Sequence, residues 1–274
     1  MNTLPWVDDI LYLVKQEYSK PPPSHTIKKE LTQSDEDYIQ SIVQEKGPFD
    51  TLQLRQEMIK DRKLSKVYVE KSFSHQHGEI ILLSYKTPAW TPPYNVWWRA
   101  IRLLAKKPVR IVIFAHPSLR LFPPHKHNVE PEHINGGYAQ RCDTKSIVIY
   151  RKEEITRVLL HELFHSSCSD PYHKPTTEIE ADTEAWAEII LCAMVAKGIQ
   201  SQWKIIMNNQ INYALIQASI LRDNHNVQTP NDYAWRYAIG RLEVWARLGF
   251  SIPSLPTNYK PLQSLRLTYI EPKS

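Results

Sequence analysis

His161-Glu162-Leu163-Phe164-His165 is the stretch whose reading decides this chain. On a helix, residues four apart stand one turn above each other on the same face. Two imidazoles at that spacing reach one metal ion, and Glu162 beside them can take a proton from water that the metal activates. Ile155, Leu159, Leu160, Leu163 and Phe164 bury parts of the same helix, which leaves His161 and His165 toward a cleft.

A catalytic zinc usually has three protein ligands and one open position, so the motif needs a third ligand. Eighteen residues separate His165 from Glu184. That gap lets the first helix end, a loop through Pro171 and Pro175 reverse the chain, and a second helix pass the metal. Glu184 is the expected third ligand. Thr177-Glu178-Ile179-Glu180 resembles a capping box opening the second helix. Glu180 competes as a ligand, but that capping role accounts for it. Glu188, one turn beyond Glu184, is placed to accept a hydrogen bond from the far nitrogen of a ligating histidine, with a solvated carboxylate as the alternative. Asp170 and His173 could supply a ligand in another class of zinc enzyme. That class needs a glycine turn after the second histidine, where this chain has Cys168.

Upstream, Lys66 to Phe73 and Glu79 to Tyr85 read as strands around a turn with Gly78. Asn95 to Lys106 reads as a helix, Val109 to Ala115 as a buried strand, and Ser146 to Tyr150 as another strand. A helix from near Lys152 then carries the histidines. Further upstream, Trp6 to Tyr18, Ser34 to Lys46 and Thr51 to Lys60 read as helices, with Pro21-Pro22-Pro23 as a stiff linker. Downstream, Trp203 to Ala218 follow one helical face. Thr229-Pro230-Asn231-Asp232 reads as a helix start, and that helix runs toward Leu248. The expected organisation is a helical appendage over residues 1–64, a catalytic domain over 65–250, and a tail over 251–274 that wraps the surface.

The chain has 274 residues, 42% of them apolar and 23% charged, which suits a soluble globular protein. No apolar run reaches the roughly 20 residues of a membrane span. Trp6, Asp8 and Asp9 stand where a secretory signal carries basic and then apolar residues, so no signal peptide is expected. Three cysteines, Cys142, Cys168 and Cys192, make no disulfide framework. They read by default as buried thiols in a reducing compartment, with a meeting of Cys142 and Cys168 near the site as the alternative. The net charge of +5 is spread along the chain, with no stripe of basic and aromatic residues for nucleic acid. The pairs His75/His77 and His125/His127 read as solvated loop residues.

His161, Glu162, His165 and Glu184 resemble the gluzincins, whose pattern is His-Glu-x-x-His with a glutamate ligand on the next helix. The gap matches that of their aminopeptidase branch. The segment from His133-Ile134-Asn135-Gly136-Gly137-Tyr138-Ala139 through Ile147-Val148-Ile149-Tyr150 to the histidines also resembles predicted metallopeptidases of large DNA viruses. The likeness spans roughly residues 130 to 190. It implies an α+β fold: a zincin-like catalytic domain with a small mixed sheet and metal-binding helix, then a helical C-terminal half.

The resemblance implies a zinc-dependent peptidase with Glu162 as the base. A tyrosine or histidine from the C-terminal half then stabilises the oxyanion, and His225, Tyr233 and Tyr237 are the choices, Tyr237 foremost. The substrate strand would lie along Gly136, Gly137 and Tyr138. The Gly-x-Met-Glu-Asn signature of the aminopeptidase branch is missing, which favours endopeptidase action on a polypeptide. The rival reading is a catalytically silent zincin scaffold, such as a virion component. The expected location is cytoplasmic, or with the virion if the chain is viral.

Overall fold

The computed structural model describes residues 4–45, 47–171, 173–256, 259–260 and 262–270. In chain order the elements are α1 (Pro5–Tyr18), β1 (Thr26–Lys28), α2 (Gln33–Gln44), α3 (Leu54–Lys63), β2 (Val67–Ser74), β3 (Gly78–Tyr85), α4 (Tyr94–Leu104) and β4 (Val109–Ala115). There follow α5 (Pro131–Ile134), β5 (Gly137–Tyr138), β6 (Ile147–Ile149), α6 (Ile155–Ser166), α7 (Thr176–Val195), α8 (Gln200–His225), a π-helical turn (Arg236–Gly240) and α9 (Arg241–Arg247). The described residues form two units. One holds residues 22–119 and 135–169, the other 4–21, 120–134 and 170–270.

The first unit is built on a six-stranded sheet in the order β1-β2-β3-β4-β6-β5. The β3–β4 and β4–β6 pairs are parallel, the others antiparallel. Parallel pairs need helices on both faces, which is why β3 and β4 read as unbroken apolar runs. Ile81, Leu83, Val112, Phe114 and Val148 on one face join Ile39, Ile42, Leu54, Met58 and Ile59 of α2 and α3 in one core. On the other face, the Trp98 indole donates to Ser72 Oγ at 2.9 Å. The Trp97 indole reaches Thr156 Oγ1 of α6 at 3.0 Å, so α4 and α6 pack side by side there.

The second unit is helical. In α7, Ala185, Ala187, Ile189 and Leu191 are all fully buried. Trp6 of α1 meets Trp186 of α7 edge to face at 5.3 Å. The Trp245 indole of α9 donates to the Ala185 carbonyl at 3.2 Å.

An α+β architecture with one small mixed sheet is therefore present as expected. Residues 1–64 are not set apart as an appendage. Residues 22–64 supply a strand and two core helices to the sheet unit, while α1 belongs to the helical unit. Helix α2 is capped by Thr32 in a capping box with Asp35, two residues earlier than Ser34; its expected end, Lys46, lies outside the described residues. The tail does not only wrap the surface, since Leu265, Leu267 and Thr268 are at most 2% exposed. The stretch expected to open the last helix is a turn instead. The Asp232 carboxylate accepts from the backbone N–H groups of Gln228 and Thr229, and the helix follows through the π-turn. Among the described residues, no helix is long and apolar enough to cross a membrane.

Candidate metal centre

Helix α6 is buried along nearly its whole length, and His161, Glu162 and His165 are 7%, 4% and 9% exposed. The i, i+4 spacing brings the two imidazoles together as expected. Their Nε2 atoms stand 2.9 Å apart, with rings 4.7 Å between centroids and near perpendicular. Two nitrogens held about 2.05 Å from one tetrahedral ion stand about 3.3 Å apart. The pair is thus within a few tenths of an ångström of the separation a shared ion requires.

Glu162 lies against β5. A Cβ placed on Gly137 would stand 3.3 Å from Glu162 Oε1 and 2.6 Å from Val158 Cγ1. Gly137 is thus the residue that lets β5 close on α6 at the glutamate. Strand β5 pairs on one side with β6 and ends the sheet order. Gly136, just before it, accepts from the Tyr150 N–H. The Tyr138 side chain turns toward the α2–α3 side. Its hydroxyl bonds Arg55 Nη1 and Glu45 at 2.6 Å each, its ring stacks on Phe49, and burial raises its pKa. Any part of Tyr138 in binding an extended chain is therefore left to its backbone.

Helix α7 carries the carboxylates. It starts at Thr176 after Pro175, with no side-chain cap. Thr177 is thus inside the helix, and the capping role expected for Glu180 falls away. His161, His165 and Glu180 each offer one ligand atom, and these atoms lie within 4.8 Å of one another, a group that could hold a metal ion. Glu184, one turn further on, is 2% exposed. Glu188 is fully buried; Thr268 Oγ1 donates to it at 2.7 Å, and Arg241 lies 3.9 Å away.

Tyr237 lies in the π-turn, a rare helical insertion that recurs at functional sites. Its hydroxyl is 3.1 Å from that of Tyr233, and Arg236 stacks over both rings. Burial, followed by the negative charge of Glu180, holds its phenol well above the usual tyrosine range, so it stays protonated. His225 is used in packing: it stacks on Phe122 and its Nδ1 bonds the His127 carbonyl.

The expectation of buried free thiols fails for Cys142 and Cys168, which are exposed and bonded to each other. Cys142 and Cys168 are joined in a disulfide, while Cys192 is a buried free thiol. The two partners are 26 residues apart with no recognisable spacing, and only the tertiary fold brings them together.

No family model, curated protein or solved structure matches this chain. The functional reading therefore stands on the residues themselves.

Proposed function

We propose that the protein is a zinc-dependent peptidase acting within polypeptide chains. The observation that carries this reading is the grouping of buried His161 and His165 with half-buried Glu180, Glu162 standing next to His161 on the same helix. Two imidazoles and one carboxylate form a donor set suited to zinc. Such a cation supplies Lewis acidity and acidifies water.

The remaining chemistry belongs to the chain. Glu162 takes the proton from the attacking water and hands it to the leaving amine. The Glu162 side chain is nearly fully buried against β5, which shields this relay from bulk water. Tyr237, kept protonated by its surroundings, donates to the oxyanion. The free edge of β5 aligns the substrate backbone, and Gly137 keeps that edge close to Glu162.

Glu180 is our assignment for the third ligand, because it is the carboxylate in the group. A second assignment, Glu184, is favoured by its 18-residue gap from His165 and its near-complete burial. Zinc content of the Glu180→Gln and Glu184→Gln proteins decides between them: the true ligand's variant loses most of its metal, the other keeps it. The function itself is tested with Glu162→Gln, which should hold one zinc per chain and fail to cleave a peptide library. Full cleavage by that variant contradicts the assigned base. Retained zinc in a His161→Ala/His165→Ala protein contradicts the site.

A further inference from the structure

The Cys142–Cys168 disulfide meets the metal helix at its histidine end. Cys142 lies between β5 and β6, and Cys168 is two residues past the end of α6. The backbone N–H of Cys142 donates to the His165 carbonyl at 3.0 Å, and that of Cys168 donates to the same carbonyl at 3.2 Å. Both cysteines hold left-handed backbone, φ 63° and 57°, where residues other than glycine are uncommon. Both are exposed to solvent. Cys192, by contrast, is fully buried, and burial pushes its thiol well above the usual range.

We propose that Cys142–Cys168 is a thiol–disulfide exchange site, and that opening it loosens the His165 end of α6 and weakens metal binding there. The second half rests on the metal-centre reading; the exchange itself does not. The reagent is a low-molecular-weight thiol of the glutathione class. Its thiolate attacks one of the two sulfurs, the protein S–S bond breaks, and a mixed disulfide forms while the other cysteine leaves and takes a proton. A second small thiol then attacks the mixed disulfide and frees the remaining cysteine. Two small thiols become one small disulfide, and the protein gains two electrons and two protons.

The coupling to His165 is geometric. The Cys168 N–H bond is local to the helix end and survives opening. The Cys142 N–H bond is long-range in sequence, and the disulfide, whose partners are 26 residues apart, holds that loop shut. Once it opens, the turn carrying Cys142 is still held by its internal Asp143 N–H to Gln140 bond and by the Arg110 N–H of β4 to Thr144, but no longer by a covalent link to the end of α6. The His165 carbonyl then loses its donor from the β5–β6 loop, and the imidazole loses part of what orients it.

The test uses the full chain, oxidised or reduced with a phosphine that is then removed without air. Intact mass and thiol titration read the bond. Hydrogen exchange at the Cys142 amide reads the clamp, and competition with a chromophoric chelator reads zinc affinity. Excess reduced glutathione should expose two thiols and speed exchange at Cys142. Zinc affinity should fall about tenfold and the apparent Tm by roughly 5–10 °C. Oxidised glutathione should reverse all four. The Cys142→Ser/Cys168→Ser protein should match the reduced form whatever the redox state. A bond that resists excess glutathione overturns the exchange site. Unchanged zinc affinity and Cys142 exchange in protein shown to be reduced overturn the clamp. Absence of zinc binding in both redox states instead overturns the metal-centre reading, while mass and hydrogen exchange still judge the exchange site.

Discussion

Gly137 shows how much one missing Cβ does at this site. An alanine there would bring its methyl within 2.6 Å of Val158 Cγ1 and 2.9 Å of the Val148 carbonyl, both tighter than real contacts allow. It would also crowd Glu162 Oε1 at 3.3 Å. Either β5 moves away from α6 or the Glu162 carboxylate turns. Overpacking of this kind costs about 1–3 kcal/mol, and on the proposed function Gly137→Ala should also cut peptide hydrolysis while zinc content holds. Urea unfolding and zinc analysis of the variant check both arms. Unaltered stability and activity together would show that the strand has slack. Glu162→Gln tests the chemistry without that crowding, since it keeps the shape. Loss of general-base action should slow hydrolysis by about 10²–10⁴-fold, read as kcat with zinc bound.

Among the elements, α2 is fastened to the sheet by one buried carboxylate. Asp35 closes the capping box with Thr32 and meets Lys71 Nζ at 2.9 Å and Arg110 Nη2 at 2.9 Å. Burial pushes its pKa up, but the Lys71 ammonium and the Thr32 N–H and hydroxyl outweigh that and hold it below the usual 3.8. Because the folded value is the lower one, the stabilisation is complete above the unfolded pKa and drains away as pH falls through the folded pKa. Asp35→Asn should therefore lose about 3 kcal/mol at neutral pH and flatten the acid limb of stability below about pH 4, as denaturant titrations across pH would show. The same element scale explains what could be read in advance. Strands β3 and β4 and helix α6 announce themselves because each buries a long apolar series, and the histidine pair is visible because helical spacing alone places it. Strand β1 has three exposed residues and so leaves no alternation to read. The start of α7 was misplaced because Pro175, not Thr177, precedes its first turn. That shift hid Glu180 behind a capping role. The π-turn under Tyr237 and the disulfide beside His165 depend on tertiary contacts that no local pattern encodes.

At the scale of the whole molecule, the last described residues complete the helical unit. Arg241 is fully buried, and its guanidinium donates to the Leu267 carbonyl at 2.6 Å and to Gln217 Oε1 at 3.1 Å. Gln210 Nε2 also donates to Leu267, and Thr268 donates to Glu188 of α7. A buried charge that loses its partners costs far more than the pair contributes when intact. Removing residues 264–274 would take the Leu267 carbonyl from Arg241 and the Thr268 hydroxyl from Glu188, and empty the sites of Leu265 and Leu267. Each leucine is worth about 2–5 kcal/mol, so the total loss exceeds about 5 kcal/mol and rivals the whole stability of many domains. The truncated chain should melt far earlier by circular dichroism, with its helical signal lost first. Because α7 carries both Glu180 and Glu184, zinc content should fall with it. A truncated protein that keeps its Tm would mean that Arg241 and Glu188 find other partners. One that melts early yet still binds zinc would mean that the metal holds α7 without the tail.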